Sequence, residues 1–204
     1  MGDVVENEPR PLRADARRNR DRLLEVARRA FAAEGVSVPL DEIARRAGVG
    51  PGTLYRHFPT KESLLEAVVR ERLRRLVDRA QALRHGEDPA AALFTLLDQV
   101  VEDAAAKADL VDTLAGSGVE IRTALAPDVT RLHDEIGHLL IRAQDNDAVR
   151  GDIGIADLMA VLGGVLYALR HLHAGAAREK VVAILYDGLR AGARVAQGGP
   201  TSSA

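Results

Sequence analysis

Apolar positions recur three and four residues apart along nearly the whole chain, and no stretch alternates apolar with polar residues as a strand would. The pattern predicts an all-α protein. Leu23, Val26, Ala27, Ala30 and Phe31 fall on one stripe and predict a first helix over residues 17–34. Gly35 closes it, since glycine accepts the left-handed turn that follows a last helical residue. Pro9 and Pro11 make residues 1–12 an expected loose tail. Ser37 is expected to cap a short second helix, with Pro39 in its first turn and Asp41 and Glu42 where the helix dipole favours negative charge. That helix stops at Ala47-Gly48, and after Val49-Gly50 a third opens with Pro51 and ends near Phe58-Pro59. Thr60 caps a fourth helix over residues 61–83, about 35 Å long at the usual helical rise.

His85-Gly86-Glu87-Asp88-Pro89 is the clearest break in the pattern. It sets the expected organisation: a flexible tail over 1–12, a small helical head over 13–60, a linking helix over 61–85, a helical bundle over 86–196 and a disordered tail over 197–204. Within the bundle the expected helices cover 90–107, 110–115, 120–126, 128–144, 155–173 and 178–196. Gly116-Ser117-Gly118 and the polar residues 145–154 separate them.

Composition narrows the chemistry. The 204 residues include no Cys, which removes disulfides, thiolate metal sites and a cysteine nucleophile and suits a reducing compartment. A cytoplasmic location is expected, because the acidic N-terminus has no apolar signal segment behind it. No membrane partner is expected either: the longest charge-free apolar run, residues 158–169, is well short of the ~20 that a spanning helix needs. The net charge of −2 conceals an asymmetry. Residues 1–85 carry 18 Lys+Arg against 13 Asp+Glu, a net of +5, and residues 86–204 carry 10 against 17, a net of −7. An excess of positive charge in one half fits contact with nucleic acid or a membrane surface, and fits an ordinary solvated, arginine-rich helix surface equally well.

The informative stretch runs from Leu40 to Phe58. Two short helices joined by a glycine-containing turn make a helix-turn-helix. Ile43 and Ala47 share one face, Leu54 and Phe58 share another, and these four close a small core with Phe31 and Val49. Gly48 supplies the positive φ of the sharp turn. Pro51, Gly52, Thr53, Arg56 and His57 are left facing outward, with Tyr55 at the edge. A short helix presenting such residues fits a major groove. Thr53 suits a base edge or a thymine methyl, and Tyr55, His57 and Lys61 suit phosphate oxygens. Arg56 suits either a guanine or a phosphate.

Ile43-Ala44-x-x-Ala47-Gly48-Val49-x-x-Gly52-Thr53-Leu54-Tyr55-x-His57-Phe58, followed by Lys61-Glu62-x-Leu64, closely resembles the DNA-binding domain of the tetracycline-repressor (TetR) family, over about residues 16–76. The resemblance implies a three-helix head that reads double-stranded operator DNA, an all-helical regulatory domain, a homodimer on a palindrome, and release by a small-molecule effector. By position, the resemblance implies that Thr53, Tyr55, His57 and Lys61 contact the operator, with Arg17 or Arg18 as outer phosphate contacts; Gly52 and Arg56 are further candidate DNA contacts on the same outward face. Two departures stand out. Pro39 occupies the region where Thr or Ser often contacts phosphate, leaving Ser37 as the substitute, and Gly50-Pro51 stands where Ser and a basic or polar residue are common.

Leu158, Leu162, Val165 and Leu169 form one stripe, and Val181, Ile184, Leu185, Gly188 and Gly192 another. Internal core explains any such stripe first. Residues 155–172, however, are apolar around more than one face and include Gly163-Gly164, which lets another helix approach closely. The expectation is an intersubunit four-helix bundle, the family's usual dimer interface. Leu97, Val101, His133, Ile136, Met159, Tyr167 and His171 are the candidate effector contacts. No cofactor is expected. The Gly48-x-Gly50-x-Gly52 run follows a helix rather than a strand, the histidines lack helical metal-ligand spacing, and Ser117 lacks the setting of a nucleophile. The expected protein is not an enzyme. A helical carrier or enzyme with an incidental helix-turn-helix, and an effector-independent DNA binder, are the alternatives.

Overall fold

The computed structural model describes residues 10–105, 119–172 and 176–192. Helices α1 (Arg10–Glu34), α2 (Leu40–Arg46), α3 (Pro51–His57), α4 (Lys61–Leu83), α5 (Pro89–Ala105), α6 (Val119–Asp145), α7 (Ile155–His171) and α8 (Ala176–Leu189) make up their regular structure, with no strand among the described residues. The described chain divides into two compact units. The division falls inside α4, between Arg72 and Leu73, and inside α6, before Pro127.

The first unit holds α1, α2, α3, the beginning of α4 and the start of α6 up to Ala126. α1 starts at Arg10, so the end of the expected loose tail is helical. Pro11 is tolerated there because a first-turn N–H has no intrahelical acceptor to lose. Gly35 (φ 76°) and Gly48 (φ 64°) make the left-handed turns expected of them. Ser37 does not cap α2. The helix begins at Leu40, so the capping position falls on Pro39, which offers no side-chain acceptor. Thr60 does cap α4: the Ser63 N–H donates to Thr60 Oγ1 at 3.1 Å and the Thr60 N–H to Ser63 Oγ at 3.2 Å. Leu23, Ala27 and Phe31 of α1, Ile43 and Ala47 of α2, Leu54 and Phe58 beside them, and Leu64 of α4 are all buried.

The second unit gathers the rest of α4, α5, most of α6, α7 and α8 around Leu93, Leu96, Leu97, Ile136, Leu139, Leu140, Leu158 and Leu162. Asp88 Oδ1 accepts the Ala91 N–H at 2.9 Å and starts α5. α6 corrects the expected division at 126–128, because one helix runs through Pro127. The proline is exposed, while Leu125, Leu132, Ile136 and Leu139 are buried along the same helix. α8 also differs, ending at Leu189 instead of 196. Past its end, Val149 and Arg190 pair as an isolated antiparallel bridge, with Arg150 N–H to Leu189 O at 2.9 Å and Ala191 N–H to Ala148 O at 3.2 Å. Gly192, expected on the α8 stripe, lies beyond the helix at φ 99°. The Gln144 amide donates to Arg150 O and Ile153 O, 2.9 Å each, and fixes the loop that makes the bridge. The expected helix 110–115, Gly116-Ser117-Gly118, His173 and both chain ends lie outside the described residues.

One carboxylate is buried in this unit. Glu135 on α6, 6% exposed, accepts from Gln81 Nε2 at 2.8 Å and Arg84 Nη1 at 3.3 Å, and His138 Nδ1 lies 3.8 Å away. Arg142, two turns further along α6, donates to the carbonyls of Arg84 and Gly86 just past the end of α4. Carbonyls that follow a helix's last turn lack intrahelical partners, and the guanidinium supplies one.

Candidate nucleic-acid interface

α2 ends where the Gly48 N–H bonds to Arg45 O and the Val49 N–H to Ala44 O, 3.1 Å each. Gly48 turns the chain, and Gly50 in extended conformation (φ −69°, ψ 150°) lets Pro51 open α3. The Thr53 N–H donates to Gly50 O at 2.9 Å, and the Phe58 N–H closes the helix on Leu54 O at 2.8 Å. Leu54 and Phe58 fill the head core, and that burial fixes how α3 is rotated. Pro51, Gly52 and Arg56 are therefore exposed, as the spacing predicts, whereas Thr53 and His57, expected outward, are half-buried and Tyr55, expected at the edge, is exposed. A Cβ on Gly50 or Gly52 would meet nothing within 4 Å, so both glycines open the backbone outward.

Neighbouring charges separate the arginines into two groups. Arg46 pairs with Glu42 on its own helix at 2.6 Å and with Glu34 on α1, joining the two elements. Arg45 grips Glu42 through two bonds of 2.7 Å. Hydrogen bonds from Arg45 and then Arg46 hold the Glu42 carboxyl down to about 2. Hydrogen bonding from Arg28 likewise holds Glu25 down to about 2, against some desolvation and with help from Arg29. Arg18 pairs with Asp15. By contrast, Arg17, Arg56 and Lys61 engage no side-chain partner among the described residues. Of the two α1 candidates, Arg17 is thus the unengaged cation. Two contacts escaped the sequence reading. The Arg20 guanidinium lies 5.6 Å from the Phe58 ring centroid, and the Tyr55 hydroxyl donates to Asp41 Oδ1 at 3.4 Å. The first of these gives no signal in the residue pattern, because the two residues lie far apart in sequence. Ser37 sits exposed in the turn before α2.

The candidates in the second unit scatter. Leu97, Val101 and Ile136 are buried, with Met159 packed beside them. His133 is half-buried, Tyr167 is 64% exposed, and the His171 side chain lies outside the described set. Tyr167 therefore does not join Leu97 and Ile136 in one lining. Leu158, Leu162, Leu169 and Leu185, expected to face a second copy, are buried within this chain's own core. Val165 and Val181 are half-buried, and Gly188 is exposed. The outward apolar residues are Val161 (52% exposed), Tyr167 and Ile184 (71%). Val161 was missed, although it lies on the second apolar face that residues 155–172 advertise. A groove of about 350 Å³ runs between α7 and α8, lined by Leu158, Val161, Val165, Val181 and Ile184 among others, with Arg150 and Asp157 as its charged members.

Two short helices about a tight turn, with hydroxyl and cationic side chains outward, define a helix-turn-helix protein. Comparison with known proteins gives its family. The model "Bacterial regulatory proteins, tetR family" matches residues 23–68, and "Transcriptional regulator SbtR-like, C-terminal domain" matches 88–191, the half that displays no motif of its own. A solved TetR transcription regulatory protein from Mycobacterium vanbaalenii is 47% identical, with a TM-score of 0.71 over 88% of this chain and 99% of that one. A TetR transcriptional regulator from Streptomyces coelicolor is 32% identical, with a TM-score of 0.66 over 85% and 99%. An HTH-type transcriptional regulator from Staphylococcus aureus is 43% identical over 63 residues, 30% of this chain and 34% of that relative, so the match spans about a third of the curated protein. The chain belongs to the TetR family of bacterial transcriptional regulators.

Proposed function

We propose that the protein is a homodimeric transcriptional repressor that binds a palindromic operator through α3 and leaves it when a small molecule occupies the second unit. One observation carries the reading. Burial of Leu54 and Phe58 turns Thr53, Tyr55 and Arg56 outward beside two glycines that open the backbone, while among the described residues Arg17, Arg56 and Lys61 stay unengaged by carboxylates. Thr53 and Arg56 then face base edges, and Tyr55, His57, Lys61 and Arg17 face phosphates, which set register rather than sequence.

A second copy is the occupant proposed for the α7–α8 face. Gly163, Gly164 and Gly188 stand on these helices with no atom within 4 Å of where a Cβ would be. No contact among the described residues requires them, yet in a helix interior a glycine lowers stability by about 1 kcal/mol relative to Ala. Open glycines beside Val161, Tyr167 and Ile184 suit close approach of another helix, and the isologous pairing of a dimer puts the same patch on both sides. The effector is proposed to lie near Leu97, Val101, Ile136 and Met159 and to favour a conformation whose two α3 helices are wrongly spaced. Such coupling is reciprocal, so operator DNA weakens effector binding by the same factor.

Selection of binding sites by the full-length protein from a random-sequence duplex pool tests the reading. The expected product is a palindrome whose half-sites lie about one DNA turn apart, roughly 34–36 Å. Recovery of no palindrome overturns it.

A further inference from the structure

Asp41 and Tyr55 face each other across the helix-turn-helix. Asp41 lies in the first turn of α2, exposed, and Tyr55 lies on α3 with 44% of its surface open. The tyrosine hydroxyl is 3.4 Å from Asp41 Oδ1 and has only one hydrogen to give. A phosphate oxygen, like a carboxylate, is an acceptor. The two cannot take the same hydrogen at once, and a charged acceptor holds it more strongly than a neutral one.

We infer that Asp41 is a positioning residue that competes with DNA phosphate for the Tyr55 hydroxyl, and so restrains binding to any duplex. The inference rests on the proposed reading of α3 as the DNA-contacting helix. While Tyr55 donates to Asp41, its oxygen presents lone pairs to the duplex and its phosphate contact is unmade. Binding requires the hydroxyl to leave Asp41. Because phosphates carry no sequence information, the restraint acts equally on operator and non-operator DNA. Asp41 therefore sets the general affinity of the head and leaves discrimination between sequences to Thr53 and Arg56.

The test is a double-mutant cycle on the full-length protein with Asp41→Ala and Tyr55→Phe. Affinity is measured for the duplex recovered by selection and for a scrambled duplex of equal length, at one fixed salt concentration. Asp41→Ala is expected to tighten binding to both duplexes by about threefold to tenfold, and the gain is expected to vanish when Tyr55 is Phe. Asp41→Asn keeps a neutral acceptor and removes the charge, so an intermediate gain is expected; this variant also guards against a loss of fold, since it keeps the side-chain shape at the start of α2. A gain that persists in the Tyr55→Phe background overturns the inference, because Asp41 then acts by direct charge repulsion. Weaker binding by both folded Asp41 variants also overturns it, since Asp41 would then only brace α3. If the wild-type protein prefers no duplex over its scramble, the proposed function itself fails, a result distinct from an uncoupled cycle.

Discussion

Glu42 accepts hydrogen bonds from Arg45 and Arg46, and Arg46 reaches on to Glu34 of α1, so a few side chains hold two head helices together. The Glu42 carboxyl lies near 2 when folded, against about 4.3 for an unperturbed glutamate. A lowered folded value means stability that is present above the unfolded value and lost as pH falls toward the folded one. Thermal melts by circular dichroism should therefore show the wild-type head losing stability between about pH 5 and pH 2. Glu42→Gln should melt lower at neutral pH and show a shallower acid decline, with Glu25 and Glu34, both lowered by arginine hydrogen bonds, supplying the remaining slope. An unchanged acid profile in the variant would mean the network is only decorative. Lys61 opens α4 without a side-chain partner among the described residues. Lys61→Ala should weaken binding to all duplexes alike and reduce the slope of log K against log salt by about one unit. A change confined to one base position would assign it a different role.

At the scale of elements, the legible features were those a single local rule decides. Gly35 and Gly48 turn as their residue type requires, and Thr60 meets Ser63 in a reciprocal cap. Ser37 failed because capping depends on register. With α2 starting at Leu40, the polar residue lies too far back and proline takes the place. Pro127 misled for the opposite reason, since burial of the α6 stripe outweighs one absent N–H on the exposed side. The end of α8 depends on Val149, which no local pattern near Arg190 announces. At the interface the outward face of α3 was legible from which residues must be inside, whereas the carboxylates engaging Arg18 and Arg46 were not. The Glu135 cluster was equally invisible, because Gln81 and Arg84 lie on another helix. Its loss should be large. Glu135→Ala strands two half-buried donors and should lower stability by about 1–3 kcal/mol, read as the shift in urea midpoint. Glu135→Gln, which still accepts from Gln81, should lose less. Equal losses would show that the carboxylate's charge beside Arg84, rather than side-chain shape or the Gln81 hydrogen bond, matters there.

For the whole molecule, the core stripe and the proposed assembly stripe lie side by side on α7 and α8, and that adjacency blurred the sequence reading. Leu158, Leu162 and Leu185 serve this chain's own core, while Val161, Tyr167 and Ile184 do not. Ile184→Asp should therefore leave the protomer folded and convert the proposed dimer to monomer in sedimentation velocity, with operator affinity falling as the paired heads separate. An unaltered sedimentation coefficient would remove this face from the dimer. The open glycines of the same face, 163, 164 and 188, have a further consequence for laboratory evolution. A selection that rewards only a heat-resistant single chain would replace them with alanine early, since each exchange adds helix propensity and meets no clash. A selection that also demands regulation of a promoter would keep them, and the positions where the two lineages part would mark out the surface that this protein maintains for another molecule rather than for itself.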